Sequence, residues 1–200
     1  ANIRVSQAKS HWQEQNEGSV NKDRRDFQEA TFETDTGYRF TVYNGHFKSM
    51  RGGEAATAPI RLAEASSAAR IITSRLKNDP AAPILVVGDL NTLHESPLGQ
   101  AVLKKLSLNE DARSALTEVL LAHEGNVPTH LGTTRHPAHK LDYIFASPGL
   151  RNRVVSAYVS GHFRTNPWKL ASDHLPVVVK FEEPDEPAVA QAVPKLALLA

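Results

Sequence analysis

Pro83-Ile84-Leu85-Val86-Val87 is an unbroken apolar run of strand length, closed by Gly88 and Asp89. A short apolar run with no polar alternation describes a strand covered on both faces, as in layered α/β proteins. Upstream, Leu62, Ala65, Ala69, Ile72 and Leu76 recur at helical spacing. They predict a long helix opened by Thr57 and Pro59 and ended at Asn78-Asp79-Pro80. Before it, Phe27–Glu33 and Tyr38–Phe47 alternate aromatic and β-branched residues around Asp35-Thr36-Gly37, a hairpin signal. Short helices are expected over 97–106 and 110–123, an irregular His-containing loop over 124–140, and strands over 141–147, 153–160 and 175–182. The order β-β-α-β-α-β-β-β predicts sheets packed with helices, an α/β or α+β sandwich.

Length and composition set the outer bounds. A chain of 200 residues is long enough for one domain with a substantial core. Its 23 Lys and Arg against 22 Asp and Glu leave a net charge of +1, so basic surface must be local, as at Lys22-Asp23-Arg24-Arg25 or Lys48 with Arg51. The absence of cysteine excludes disulfides and thiolate chemistry. No apolar run is long enough to span a membrane. Residues 1–26 are polar and weakly patterned and read as a surface loop or N-terminal remnant; 27–182 form the domain. Residues 183–200, with Pro184, Pro187 and Pro194, read as a flexible tail.

Polar residues gather where the predicted strands end. Gly88-Asp89-Leu90-Asn91 follows the buried strand, and alternation about Leu90 would point Asp89 and Asn91 the same way. A carboxylate beside an amide suits a hard cation or a water next to a phosphate, although Gly, Asp and Asn also build turns. Ser172-Asp173-His174 precedes another apolar strand, and its adjacent acid and imidazole must face opposite sides and find separate partners. His174 suits a general base, and Asp142, an acid inside Leu141-Asp142-Tyr143-Ile144-Phe145, is the best orienter because a carboxylate there is costly unless paired. Asp173 equally reads as a cap or loop acid. Asn44-Gly45-His46-Phe47-Lys48 brings a third such end, where His46 can donate to a phosphoryl oxygen and Lys48 can neutralise phosphate charge. A histidine at a strand end is by itself more often a surface residue. His123, His130, His136 and His139 lack the helical spacing of a zinc site.

Taken in order, Asn-x-His, Gly-Asp-x-Asn, Leu-Asp-Tyr-Ile and Ser-Asp-His resemble the endonuclease/exonuclease/phosphatase superfamily over residues 27–182. The resemblance implies the DNase I-like four-layer architecture and magnesium-dependent hydrolysis of phosphodiesters, with manganese as the alternative ion. It implies that Asp142 holds His174 as the base or phosphate-contacting group. Asp89 and Asn91 position the attacking water and the phosphate and, with Asp173, hold the metal. His46 contacts the scissile phosphate, and Asn44 and Lys48 bind substrate. The family's earlier Gln-Glu pair, whose Glu is the principal metal ligand, has no counterpart, because Gln13-Glu14 follows no apolar strand. The chain is therefore expected to hold the later part of the fold, without its N-terminal portion.

Three readings follow from this pattern. The first is a nuclease-like phosphodiesterase acting on nucleic acid by in-line attack of an activated water. The second is a phosphatase or phosphodiesterase acting on a lipid or sugar phosphate. The third is a non-catalytic fragment needing a complementary N-terminal segment or chain.

Overall fold

The computed structural model describes residues 2–18, 24–108, 115–132, 137–161 and 172–184. The Ile84–Asp89 strand, β4 once the preceding strands are counted, lies inside a six-stranded sheet. The others are β1 (Ile3–Ser10), β2 (Phe27–Thr34), β3 (Arg39–Gly45), β5 (Thr117–Glu118) and β6 (Asp142–Ala146), in the order β1-β2-β3-β4-β6-β5. Among the described strands only the β3–β4 pair is parallel. Its crossover is the helix α2 (Glu54–Asn78), as a parallel connection requires. A second sheet pairs β7 (Val154–Val159) with β8 (Val177–Phe181).

Alternation along β4 explains why both of its faces are apolar. Ile84 and Val86 join Tyr43, Tyr143 and Phe145 beneath Ala65, Ala68, Ile72 and Leu76 of α2 and Val102 and Leu106 of α3 (Pro97–Leu106). Leu85 and Val87 face the other way, with Val42, Ile144, Ala157, Val159, Val177 and Val179 between the two sheets. The expected mixed architecture is thus present as a helix layer, a central sheet and a second sheet. The short helix α4 (Val119–Glu124) lies against β6, β7 and β8.

Three local expectations are corrected. Residues 1–26 are not simply a loop, since they contain β1 and the helix α1 (Trp12–Asn16). Every residue of β1 is exposed, with Ile3 at 56% and Val5 at 58%, so main-chain pairing with β2 makes it a strand. Helix α2 begins at Glu54, ahead of Thr57, and Pro59 falls within it. The glycine pair releases the chain at Gly52 (φ +99°) and Gly53 (φ +106°), and Glu54 favours the positive helix start. The helix expected over 110–123 is confined, among the described residues, to α4 after the short strand β5. Glu118 stops β5 and caps α4 by accepting from the Leu120 and Leu121 amides at 3.2 and 2.6 Å. The expected tail lies outside the described residues from 185 onward.

Candidate active site at the strand ends

Two glycines let β3 and β4 run close together before the site. A Cβ on Gly88, whose φ is +143°, would fall 1.8 Å from the Gly45 carbonyl oxygen. The sheet then sets Asp89 directly opposite Asp142, on the face that looks toward the second sheet. Tyr143, on the other face, donates its hydroxyl to the Thr92 carbonyl at 2.7 Å and ties β6 to the turn after Asp89.

Asp89 and Asn91 meet through a turn, and continued strand alternation is not what aligns them. The strand ends at Asp89, and Asn91 takes a left-handed φ of +47° that Asn tolerates better than most residues. The Asn91 amide N–H donates to Asp89 Oδ1 at 2.9 Å. Its Nδ2 donates to Asp89 Oδ2 at 3.0 Å and to the Phe47 carbonyl at 3.1 Å. Both contacts of Nδ2 are acceptors, which fixes the amide and leaves Asn91 Oδ1 free of them.

Asp142 and His174 form the tightest pair. His174 Nδ1 lies 2.7 Å from Asp142 Oδ2, so Nδ1 carries the proton. His174 Nε2 then faces Asp89 Oδ2 at 4.0 Å, and His46 Nε2 approaches the same oxygen at 3.4 Å. The Asp142 hydrogen bond, opposed by partial burial and helped by the nearby acids, raises the His174 pKa. Burial is the largest cause raising that of Asp89, with Asp142 adding to it. Neutral His174 would set its Nε2 lone pair against a carboxylate oxygen, an arrangement that calls for a proton, a water or a cation between them.

The remaining expected residues divide. Asp173 makes no direct pair with His174, although the two carry ligand atoms within 4.8 Å, and its Oδ2 sits 3.4 Å from His130 Nε2. The Asn44 side chain is exposed at the end of β3, on the face shared with Val87. The Lys48 main chain is held tightly, with its N–H donating to Glu64 Oε2 at 2.8 Å and its carbonyl accepting from Arg61 at 3.2 Å. Sequence reasoning missed Arg61 and Glu64, both of which are fully buried. The signal was there, because a charge pair three apart on the same helix face as Ala65, Ala68 and Ile72 must have partners. Burial lowers the Arg61 pKa and raises that of Glu64.

Inside the expected irregular loop over 124–140, Thr129, which has no sequence signal, and His130 also support the site. His130 bridges His139 on one side and His174 on the other. Leu175 N–H donates to the Thr129 carbonyl at 2.6 Å, and Leu131 N–H to that of Asp173 at 2.8 Å. This short bridge brings the Ser-Asp-His segment against β6.

Two groupings bear on a metal. Asp89 and Asn91 Oδ1 supply oxygen atoms suited to a hard divalent cation, which commonly takes one or two carboxylates and fills its shell with water and phosphate. His130, Asp173 and His174 also bring three ligand atoms within 4.8 Å of one another. His130 Nδ1, however, accepts from the Gly132 amide at 3.2 Å, so its Nε2 carries the proton and donates toward Asp173. A ligating imidazole does the reverse, giving its second N–H away.

A sequence model of the endonuclease/exonuclease/phosphatase family matches residues 20–174. No curated protein matches the chain. Among solved structures, a Bacteroides vulgatus endonuclease/exonuclease/phosphatase superposes over 90% of this chain and 67% of that one, with 22% identity and a TM-score of 0.59. A Bacteroides thetaiotaomicron mannosyl-6-phosphatase matches over 90% and 67%, at 19% identity and a TM-score of 0.57. A variant of Staphylococcus aureus beta toxin with bound magnesium ions matches over 78% and 57%, at 19% identity and a TM-score of 0.54. The likeness is one of fold, and the chain spans about two thirds or less of the length of these proteins.

Proposed function

Since this chain belongs to the endonuclease/exonuclease/phosphatase family, whose members hydrolyse phosphoesters, we propose that it cleaves phosphodiesters by in-line attack of water on phosphorus. One observation carries the reading. Asp89 Oδ2 lies 3.4 Å from His46 and 4.0 Å from His174, the latter held by Asp142 at 2.7 Å, from four separate strand ends.

Asp89 orients the attacking water and takes its proton, a task that a carboxylate of raised pKa performs better than an ordinary one. His174, whose added proton the Asp142 hydrogen bond favours, donates through Nε2 to a phosphoryl oxygen. His46 donates through Nε2 to another oxygen of the same group. Asn91 holds the Asp89 carboxylate through two hydrogen bonds and keeps it turned toward both imidazoles. Asn44 and Lys48 border the site on the β3 side and contact the substrate beyond the reacting phosphate. A magnesium or manganese ion, held by Asp89 and Asn91 Oδ1, would neutralise charge that develops on the phosphoryl group. Asp173, turned toward His130, is the weaker of the expected ligands.

The test is hydrolysis of bis(p-nitrophenyl) phosphate and of plasmid DNA, with and without magnesium. Asp89→Ala and His174→Ala should each lower kcat/KM by about 10² to 10⁴. Unchanged hydrolysis in both variants overturns the site assignment.

A further inference from the structure

We propose that Thr129 is a positioning residue for the site, its hydroxyl fixing the Asp142 carboxylate against His174. The proposal rests on the phosphodiesterase reading above, but its geometry stands independently. Thr129 has no exposed surface. Its Oγ1 accepts from two main-chain amides, Leu141 N–H and Asp142 N–H, each at 3.0 Å. With both acceptor sites of that oxygen taken, its one hydrogen has a single place to go. That place is Asp142 Oδ2, at 2.6 Å.

The same Oδ2 receives His174 Nδ1 at 2.7 Å. A carboxylate oxygen has two lone pairs, so the Thr129 hydroxyl occupies one and leaves the other for the imidazole. Rotation of the Asp142 side chain would break both bonds together. Thr129 therefore fixes which oxygen His174 meets and the direction in which the ring presents Nε2. Its main chain supports the same arrangement, since its carbonyl accepts from Leu175 N–H immediately after His174. One residue holds both members of the acid–imidazole pair. Its hydroxyl is committed to Asp142 and the two amides, so its contribution to the reaction runs through Asp142.

The experiment compares wild type, Thr129→Ser, Thr129→Val and Thr129→Cys for bis(p-nitrophenyl) phosphate hydrolysis. Alongside, proton NMR follows the His174 Nδ1 hydrogen, identified by its loss in His174→Gln. Serine keeps the hydroxyl, so T129S should hold kcat within about twofold and retain the Nδ1 signal. T129V should lower kcat about tenfold or more with KM within about twofold, and shift or lose the signal. If valine does not fold, T129C carries the same comparison, because a thiol is a weak donor of similar size. A kcat and Nδ1 signal in T129V or T129C equal to wild type overturn the proposal. A loss in T129S as large as in T129V overturns it too, because the hydroxyl would not be the active part. If D89A and H174A hydrolyse like wild type, the functional reading falls while the Nδ1 signal still decides the role of Thr129.

Discussion

At the scale of single residues, the His174–Asp142 pair links the site's charge to folding. Because the folded protein raises the His174 pKa, it binds that proton more tightly than the unfolded chain does. The resulting stabilisation is fully present below the ordinary histidine value of about 6.5 and is lost as pH rises through the higher folded value. Thermal melts of wild type and His174→Gln should therefore differ most below the ordinary histidine value of about 6.5 and draw together as pH rises through the higher folded value. A gap that widens with pH would contradict the pairing. Asp89 acts in a separate, lower window. Its raised pKa makes its ionisation unfavourable to the folded state, so stability falls as pH climbs above the ordinary aspartate value of about 3.9. Removing that cost with Asp89→Asn should raise Tm at neutral pH while abolishing hydrolysis.

Individual site residues were legible because each is a polar interruption beside an apolar strand. Asp142 within Leu141–Phe145 had to find a partner, and the structure gives it His174 at 2.7 Å. Thr129 and His130 were not legible. A threonine buried by two main-chain amides and a carboxylate has no pattern of its own, and its partners lie 12 or more positions away.

At the scale of elements, the β3–β4 contact is a sensitive joint. Gly88→Ala would place a methyl group where the Gly45 carbonyl already lies and would strain a φ of +143°. A loss of about 3 kcal/mol or more in urea unfolding is expected, with hydrolysis disturbed in the fraction that folds. At the β1 edge of the sheet, Val5→Lys should change stability by no more than about 0.5 kcal/mol, since Val5 is 58% exposed. The central strands could be read from their apolar runs, and α2 from its spacing. β1 could not, because an edge strand exposed on both sides carries no burial pattern. Glu118 was misread inside a helix because the acid that caps α4 is also an ordinary helix former.

At the scale of the whole molecule, a net charge of +1 gives no long-range attraction for a polyanion. Among the described residues, the cations close in sequence or space to His46 and Phe47 are Lys48 and Arg51, and Arg25, which approaches the Phe47 carbonyl at 3.5 Å. If DNA is the substrate and these three meet its backbone, the log–log slope of DNA binding against salt should be close to −3. A slope near zero, with hydrolysis of small diesters intact, would favour a small phosphoester over nucleic acid.

Among the described residues β1 is paired on one side only, by its ladder to β2, while β3, β4 and β6 carry the site further along the sheet. Its amides should trade hydrogen for deuterium through a local opening far easier than global unfolding. Those of β4 should exchange only when the whole domain opens. The strand can then peel from the sheet, or be displaced by a competing strand, while the residues around Asp89 keep their places.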